Sequence, residues 1–321
     1  MLRSNQKPLI MKQKPIILVT GATGAQGGSV ARTLLAEDKF TVRILTRNAS
    51  SEKAIALRNA GAQVVTGDMD DTFSLLRAMK DCYGVFGVTN FWEHFAKEYS
   101  QGENLIHAVQ RSGIKHFVMH SLPNYYRLSR GAFAVPQYDL KAELQNYAEW
   151  LDVPATFIHM SFYYENFFNL FPLQKGVGNE FYFGFPQGST RLAMTSVEDT
   201  GGIVATAFNN PVKYIGRTVG AVGADDSCSD YAVLMSEVLK RDIFYKYIPR
   251  DDYAAFGFPG AEELADMFEV QRLFIPNRRA DLMESYEMNP AMQTFESWLI
   301  KNKPRFDAYF SSLLNNTAKA A

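Results

Sequence analysis

Three glycines spaced three residues apart, Gly21, Gly24 and Gly27, follow an apolar run near the start of the chain. An apolar strand that enters such a turn and continues into a helix is typical of a site for the pyrophosphate of a dinucleotide. Glycine permits the tight turn and the close approach of backbone to phosphate, and free amides at the start of the helix face the anion. The spacing predicts a dinucleotide-binding turn; the alternative is a turn with only a structural role.

A cation, Arg47, stands at the end of the next predicted strand, about twenty residues beyond the turn. Enzymes that use NAD usually carry an acidic residue here, which binds the ribose hydroxyls. A guanidinium can instead bind the 2′-phosphate of NADP with two hydrogen bonds and stack on the adenine. We therefore expect NADP(H) rather than NAD(H). Alternatively, Arg47 is only a solvated residue at a strand end.

Ser121, Tyr138 and Lys141 are the candidates for catalysis. Reductases of the short-chain type use a tyrosine as proton donor, a lysine that lowers the pKa of this tyrosine, and a serine that orients the carbonyl. Their tyrosine stands four residues before the lysine, and here Gln137 occupies that position. Tyr138 stands three residues before Lys141, which on a helix turns its hydroxyl by roughly 100° from the working position. Lys141 alone could still bind the ribose of the nicotinamide half.

Short apolar runs alternate with helical patterns through the first half of the chain, which predicts right-handed strand–helix–strand units and a parallel sheet. After the glycine turn the strands are predicted at 40–46, 63–66, 83–88, 116–121 and 155–160. The helices are predicted at 29–35, 72–79, 93–112 and 138–150. The predicted fold class is α/β, a Rossmann-type doubly wound parallel sheet with a second, smaller α/β domain.

Several residues follow the predicted strands directly, at the edge of the sheet where ligands of such folds bind. They are Asp68 and Met69, then Thr89, Asn90 and Phe91, then His120 and Ser121, and finally Tyr163 to Asn166. We expect Asp68 to accept a hydrogen bond from the adenine amino group and residues 89–91 to pass the nicotinamide ribose. Either group could instead be ordinary loop structure.

The composition of the chain changes after residue 160, because positions 162–185 are rich in aromatic residues and glycines. We expect an N-terminal tail over 1–14, an NADP(H)-binding Rossmann domain over 15–160 and a smaller C-terminal domain over 161–321 that closes over the cleft. Part of 195–225 is expected to return to the Rossmann sheet. The aromatic cluster is more typical of a core or a cleft wall than of nucleic-acid stacking, because no basic residues interleave with it.

Composition argues against several functional classes. The chain has 321 residues, 47% of them hydrophobic, and a net charge of −1, which gives no argument for a nucleic-acid surface. No segment reaches the roughly eighteen apolar residues of a membrane span, and two cysteines, Cys82 and Cys228, do not make a disulfide framework. His116 and His120 share a strand face without a third ligand, so we expect no metal site. The expectation is a cytoplasmic monomer or homodimer, with nuclear entry left open.

Six segments of the chain carry a resemblance to a known family. They are Val19 to Leu35, Thr46-Arg47-Asn48, Gly67 to Asp71, Thr89 to Glu93, Tyr163 to Asn166 and Gly257 to Ala261. In these segments the chain resembles the NmrA-like family of atypical short-chain dehydrogenase/reductases, and most of all its HSCARG-type NADPH-sensor subgroup. The resemblance spans essentially all of the chain after residue 14.

The resemblance implies which residues bind the cofactor. The pyrophosphate would be held by Gly21, Ala22, Thr23, Gly24, Ala25 and Gln26, while Gly27 would pack the helix on the strand. The 2′-phosphate would be held by Arg47 and Asn48, and the adenine by Asp68 and Met69. The nicotinamide half would be lined by Thr89, Asn90, Phe91, Lys141, Tyr163, Tyr164, Glu165 and Asn166. The chain differs from the subgroup at two places. Ser100 stands where the subgroup has a lysine, and residues 49–52 lack the basic side chains that the subgroup carries there. Tyr138 replaces an apolar aromatic residue of the subgroup, which brings a proton donor nearer.

Two functions compete on these grounds. Family members bind other proteins according to the NADPH/NADP⁺ balance, among them GATA-type transcription factors in fungi and argininosuccinate synthetase in animals, so the resemblance implies a redox sensor with a regulatory protein partner. The alternative is an NADPH-dependent reductase of a small carbonyl, quinone or phenylpropanoid-like substrate, with Lys141 on the ribose and Tyr138 or Tyr125 as acid. The missing tyrosine–lysine spacing favours a non-catalytic sensor. A third interpretation is a protein that binds the cofactor and in which the bound cofactor has only structural value.

Overall fold

The fold is seen in a computed structural model, which describes residues 13–91 and 96–318 and, among these, the side chains of all but 315–318. Most of the predicted tail, residues 1–12, lies outside the described residues. So do residues 93–95, where the predicted helix 93–112 begins, and Trp92 and Glu93 of the resembling segments.

The strands in chain order are β1 (Ile16–Val19), β2 (Thr41–Thr46), β3 (Gln63–Thr66), β4 (Cys82–Gly87), β5 (His116–Ser121), β6 (Ala155–Met160), β7 (Phe162–Tyr163), β8 (Gln174–Lys175), β9 (Glu180–Phe185), β10 (Arg191–Thr195), β11 (Thr218–Ala221), β12 (Ala224–Ser227) and β13 (Asp242–Tyr247). Within the described residues the largest sheet has seven strands, all parallel, in the order β11-β6-β5-β4-β1-β2-β3. The order reverses between β1 and β4, as in doubly wound dinucleotide-binding folds. The predicted Rossmann-type α/β fold is confirmed.

The α-helices in chain order are α1 (Ala25–Glu37), α2 (Glu52–Asn59), α3 (Thr72–Ala78), α4 (Glu98–Arg111), α5 (Tyr125–Leu128), α6 (Pro136–Trp150), α7 (Thr200–Asn209), α8 (Pro211–Tyr214), α9 (Cys228–Leu239), α10 (Arg250–Ala254), α11 (Ala261–Phe274), α12 (Arg279–Met288) and α13 (Phe295–Ala318). Helices α1 and α7 pack on one face of the large sheet, and α3, α4 and α6 pack on the other. None of the helices in the described ranges is both long and apolar enough to cross a membrane.

Alternate residues of the central strands point into two different cores, because side chains alternate along a strand. In β1, Ile17 and Val19 pack with α1 and α7, and Leu18 packs with α3, α4 and α6. All three are fully buried. Burial on both faces explains why the strands of this sheet read as continuous apolar runs in the sequence.

Apart from β11, the described strands after residue 160 form two smaller sheets, with helices α9 to α11 and α13 around them. Their strand orders are β12-β10-β7 and β13-β9-β8. The aromatic-rich segment 162–185 supplies much of the core here, including Phe167, Phe181 and Phe185, which are at most 1% exposed. Strand β11, within the segment 195–225, pairs with β6 at the edge of the large sheet. The C-terminal half is therefore joined to the Rossmann sheet through a strand as well as through packing.

Candidate functional site

A cleft lies at the carboxyl ends of the central strands, beside the point where the strand order reverses. It consists of three adjoining cavities. The outer cavity, of about 400 Å³, lies beyond β1, β2 and β3. The turn cavity, of about 270 Å³, lies at the start of α1, and the inner cavity, of about 320 Å³, lies between β4, β5, β6 and the C-terminal half. Neighbouring cavities share lining residues, Gly21, Val88 and Asn90 between the first two and Gln26, Thr89, Asn90, Tyr163 and Asn166 between the last two.

The glycine turn lets α1 start directly against the end of β1. Gly21 has a φ of +60°, a conformation that glycine adopts without strain. The amide of Gly24 donates to the carbonyl of Gly21 over 2.8 Å, and α1 begins at Ala25 with no side-chain cap. The first amides of a helix have no partner within the helix. They are therefore available to an anion in the turn cavity, whose lining includes Gly24, Ala25, Gln26 and Gly27.

Gly27 is the tightest position of this turn. A Cβ at this position would lie 2.5 Å from the carbonyl carbon and oxygen of Gly21 and from the carbonyl oxygen of Thr20. Those are backbone atoms, so no side chain can move aside to make room. The absence of a side chain at Gly27 is what allows the helix to approach the strand.

Ala22 contributes to the turn differently from its neighbours. Its side chain is 2% exposed and packs in the core with Val30 and Ala31 of α1. The side chain therefore fixes the turn to the core, and only the backbone of Ala22 remains for contact with a ligand. Thr23, in contrast, lines the outer cavity.

The outer cavity brings together the residues that the sequence predicts at the adenine half. Its lining includes Arg47, Asn48, Asp68 and Met69. Asn48 shapes the loop after β2, because its side-chain oxygen accepts from the amide of Ser50 over 2.9 Å. One carboxylate oxygen of Asp68 accepts from the amide of Asp70 over 3.0 Å, which orders the loop after β3. Lys53 also lines this cavity, so two cations lie in its wall.

The inner cavity brings together the residues predicted at the nicotinamide half. Its lining includes Thr89, Asn90, Phe91, Tyr138, Lys141, Tyr163 and Asn166. It also includes Gln137 and His120 from the first half, and Leu264 and Met267 of α11 from the second. The C-terminal half thus closes one side of the cleft.

Lys141 is held by a buried carboxylate that the sequence did not single out. Its ammonium donates to Glu98 Oε1 and to Thr89 Oγ1, the latter over 2.9 Å, and the Thr89 hydroxyl donates to the same carboxylate over 2.6 Å. Glu98 is fully buried and Lys141 is 5% exposed. Desolvation lowers the pKa of Lys141, and the charge of Glu98 opposes this shift. Glu98 gave no signal in the sequence beyond an acidic residue near the start of a helix.

Tyr138 lines the inner cavity, but its environment does not make it an acid. Its ring stacks on Tyr125 at a centroid distance of 4.2 Å. Burial raises the pKa of Tyr138 to about 12, and the cation that opposes this shift is Arg278, not Lys141. Burial likewise raises the pKa of Tyr125 and of Tyr163. None of the three therefore has the lowered pKa that general acid catalysis by a tyrosine requires.

Ser121 ends β5 as the sequence predicts, but its side chain does not face the inner cavity. It is fully buried, and its hydroxyl donates to the backbone carbonyl of Lys141 over 3.2 Å. Within the described part of the chain, it is His120, the residue before Ser121, that lines the inner cavity from the end of β5. Successive side chains of a strand point to opposite faces, so a shift of one residue decides which of them faces the cleft.

Tyr164 also departs from its predicted place at the nicotinamide half. Its side chain is fully buried in the aromatic core of the C-terminal half, with ring centroids 5.0 Å from Phe295 and 5.4 Å from Trp298. It belongs to none of the three cleft cavities within the part of the chain that is described. Tyr164 is therefore a core residue.

Glu165 reaches the turn cavity, but its carboxylate is committed to the protein. It accepts hydrogen bonds from Ser196 Oγ over 2.8 Å, from the amide of Val197 over 3.0 Å and from Trp298 Nε1 over 3.1 Å. These contacts join the segment after β7 to the residues just after β10 and to α13. Its first role is to tie the C-terminal half together beside the cleft.

The histidines in the described ranges form no metal centre of their own. His116 Nε2 is paired with Thr156 Oγ1 over 2.8 Å inside the sheet. Across the ranges that the structure describes, no group of three or more His, Cys, Asp or Glu side chains is placed to hold a metal ion.

Comparisons with known proteins support the fold. The model of the NmrA-like family matches residues 13–299. An NmrA-like family domain-containing protein of Dictyostelium discoideum is 29% identical over 246 residues, 74% of this chain and 82% of that protein. The NmrA-like family domain-containing oxidoreductase himF of Aspergillus japonicus is 32% identical over 282 residues, 80% of this chain and 83% of that protein.

Solved structures with the same fold include regulators and reductases. NmrA, a negative transcriptional regulator, in complex with NADP, aligns with a TM-score of 0.78 at 20% identity, covering 93% of this chain and 98% of that chain. The triphenylmethane reductase of Citrobacter sp. in complex with NADP(H) aligns with a TM-score of 0.72 at 19% identity, covering 90% and 99%. At these identities the likeness shows a shared fold.

Proposed function

Because the chain belongs to the NmrA-like family, we propose that it is a regulatory protein that binds NADP(H), responds to the NADPH/NADP⁺ ratio and binds protein partners accordingly. In this function the two cofactor forms have different affinities for two states of the cleft. The ratio of the forms then shifts the population of the state that a partner recognises.

Two features of the cleft and one comparison support NADP(H) as the ligand. The turn cavity offers helix amides to a pyrophosphate. The outer cavity has two cations in its wall, Arg47 directly after β2 and Lys53 in α2. A 2′-phosphate bound beyond the end of β2 would need such cations. The NADP complexes of NmrA and of the Citrobacter reductase have the same fold.

The observation that carries the choice of a sensor over a reductase is the position of Gln137. It occupies the site four residues before Lys141 where a reductase of the short-chain type places its tyrosine, and it lines the inner cavity. An amide cannot donate the proton that carbonyl reduction needs. Tyr138, the nearest hydroxyl in sequence, has its pKa raised to about 12 by burial. The site is therefore better suited to holding a cofactor than to protonating a substrate.

A reductase remains the second candidate, because the inner cavity, where the nicotinamide half is expected, has largely apolar walls. The relatives from Aspergillus japonicus and Cladobotryum are named oxidoreductases. This function would require Tyr138 or Tyr125 to act as acid despite its raised pKa, so its rate would fall sharply in the Tyr138→Phe or the Tyr125→Phe variant.

One cuvette experiment tests both functions. The purified protein is titrated with NADPH by fluorescence, and quinone and carbonyl compounds are then added while NADPH is followed over time. Saturable binding without consumption supports the sensor, and a partner should then be captured to different extents with NADPH and with NADP⁺. Steady oxidation that depends on the added compound and on Tyr138 would establish the reductase instead. No binding of either cofactor form would refute both functions.

We expect the Arg47→Ala variant to bind NADPH about ten- to a hundredfold more weakly, with little change for NADH, because hydrogen bonds to a charged phosphate contribute about 1.5–3 kcal/mol. Titration of both cofactors measures the ratio. Arg77→Ala is the matched control, since Arg77 lies exposed on α3 and outside the outer cavity lining. An equal loss for NADPH and NADH would contradict a role at the 2′-phosphate.

A further inference from the structure

A fourth cavity adjoins the cleft and lies between the end of β6, the strands β10 and β12 and the start of α12. We call it the side cavity; its volume is about 250 Å³. It shares Tyr138, Met160, Ser161 and Phe162 with the inner cavity. None of its other lining residues in the described part of the chain lines any of the three cleft cavities. The side cavity is therefore separate from the expected cofactor site.

Asp225 places a buried carboxylate in the wall of the side cavity. It lies on β12 opposite Ala193 of β10, and it is 5% exposed. Its Oδ2 accepts from the backbone amide of Arg278 over 2.8 Å. Among the described residues, its Oδ1 accepts no hydrogen bond and the carboxylate forms no ion pair. Buried charges are normally paired with an opposite charge, so this carboxylate has room for a cationic group of a ligand.

Two arginines line the same cavity and have donors that the protein does not use. Arg278 donates from Nε to Asp281 over 2.7 Å and from Nη2 to the carbonyl of His159 over 3.2 Å. Its Nη1 makes no hydrogen bond to a described residue. Within the same part of the chain, Arg191 donates through its Nη1 alone. Guanidinium groups bind carboxylates well, so the wall also offers donors to an anionic group of a ligand.

The charges of the lining balance, and this balance restricts the charge of the ligand. Arg191 and Arg278 are cations, and Asp225 and Asp281 are anions. His159 adds no charge at neutral pH, because burial and the charge of Arg278 lower its pKa to about 4. A ligand with a single charge would meet a like charge in the wall and leave an opposite one without a partner. A ligand that carries both charges would match both.

The remaining wall and the volume restrict the rest of the ligand. Tyr125, Met160, Phe162 and Ile275 give part of the lining an apolar character. The volume of about 250 Å³ lies below the range of about 300–1,000 Å³ that is typical of sites for drug-sized molecules. The cavity therefore suits a small molecule whose uncharged part is apolar.

An α-amino acid has all of these properties, because its ammonium and its carboxylate are carried by one carbon next to the side chain. We propose that the side cavity binds a free α-amino acid with an apolar side chain, whose ammonium pairs with Asp225 and whose carboxylate pairs with Arg278 and Arg191. This inference goes beyond the proposed function and does not depend on it, because none of the paired groups lines the expected cofactor site.

Binding of three related probes to the protein without cofactor tests the inference. The affinities of L-leucine, L-leucinamide and N-acetyl-L-leucine are measured by calorimetry at pH 7. Leucinamide retains the ammonium alone, and N-acetyl-leucine retains the carboxylate alone. We expect L-leucine to bind at least about tenfold more tightly than either derivative, since each derivative loses one charged pairing. This comparison uses the unaltered protein and does not depend on how a variant folds.

The Asp225→Asn variant tests the partner of the ammonium. Its side-chain oxygen can still accept from the amide of Arg278, but the charge is lost. We expect L-leucine and L-leucinamide to bind about tenfold more weakly, and N-acetyl-L-leucine to bind no more weakly than to the unaltered protein. Asp252→Asn is the matched control, because Asp252 is exposed on α10 and lies outside the lining of the side cavity. It should change none of the three affinities.

The Arg278→Gln variant tests the partner of the carboxylate and should show the opposite selectivity. We expect L-leucine and N-acetyl-L-leucine to bind about tenfold more weakly, and L-leucinamide to bind no more weakly. Arg279→Gln is the matched control, because Arg279 is the next residue, is exposed and lies outside the lining. An equal loss for all three probes in Asp225→Asn would contradict the pairing of Asp225 with the ammonium.

The outcomes separate this inference from the proposed function. Absence of saturable L-leucine binding, or equal affinities for the three probes, would overturn the inference and leave the cofactor site untouched. Loss of L-leucine binding at saturating NADPH would place the amino acid in the inner cavity and would overturn it as well. Absence of NADP(H) binding would refute the proposed function and leave the amino acid site standing.

Discussion

Replacement of Gly27 by alanine is expected to lower the affinity for NADPH by at least about a hundredfold. The added methyl group would lie 2.5 Å from backbone atoms of Thr20 and Gly21, closer than side-chain carbons are found to backbone atoms. Helix α1 would have to move away from the turn, and its first amides would move with it. Loss of two charge-assisted hydrogen bonds to the pyrophosphate is enough for this effect. Fluorescence titration with NADPH measures it.

Gly28→Ala is the matched control for this variant. The position is the next residue of the same helix, but a Cβ here would lie 3.1 Å from the carbonyl oxygen of Ala22 and from the mobile end of Arg32. Shifts of a few tenths of an ångström relieve both contacts, and alanine also favours the helix over glycine. We expect an affinity close to that of the unaltered protein. Circular dichroism of both variants establishes that α1 is folded, and equal affinities in the two would contradict the assignment of the phosphate to this turn.

The fold could be predicted from the sequence because its signals are local and repeated. The parallel sheet buries both faces, so each central strand is an apolar run, and the run before Gly21 leads directly into the glycine turn. The chain order of strands and helices then leaves few topologies for a right-handed α/β fold. Strand ends also predicted which loops meet at the cleft, and Arg47, Asp68 and Thr89 do line it.

The finer placement of side chains could not be predicted, because it depends on contacts between distant parts of the chain. Tyr164 follows a cleft residue by one position, yet Phe295 and Trp298, more than 130 residues later, draw it into the core. Both His120 and Ser121 were predicted at the cleft, but the alternation of side chains along β5 leaves only His120 in the lining of the inner cavity, among the residues that the structure describes. Glu98 becomes important only because α4 and α6 pack together and bring it to Lys141.

The buried pair of Glu98 and Lys141 gives the second large expected effect, this time on stability. In Glu98→Leu the ammonium of Lys141 would remain buried without its carboxylate, and the Thr89 hydroxyl would lose its acceptor. Removal of one partner of a buried ion pair typically lowers the free energy of unfolding by about 3–5 kcal/mol. Urea unfolding at pH 7 measures the loss. Lys97→Ala is the comparison, because the ammonium of neighbouring Lys97 pairs with Asp70 at the surface. Its removal should lower the free energy of unfolding by at most about 1 kcal/mol.

The pH dependence distinguishes an unpaired charge from a packing defect. Desolvation already lowers the pKa of Lys141, and Glu98 opposes this, so the pKa should fall further in Glu98→Leu. Between that lowered value and the ordinary lysine pKa of about 10.4, the unfolded chain binds more protons than the folded one. The free energy of unfolding of Glu98→Leu should therefore rise with pH through this window, relative to the double variant Glu98→Leu/Lys141→Met. The double variant removes both charges and should recover most of the loss at pH 7, because similar apolar volume replaces the pair. A loss that is independent of pH and persists in the double variant would mean that Glu98 acts through packing, and that Lys141 is not held as a charged group beside the cofactor site.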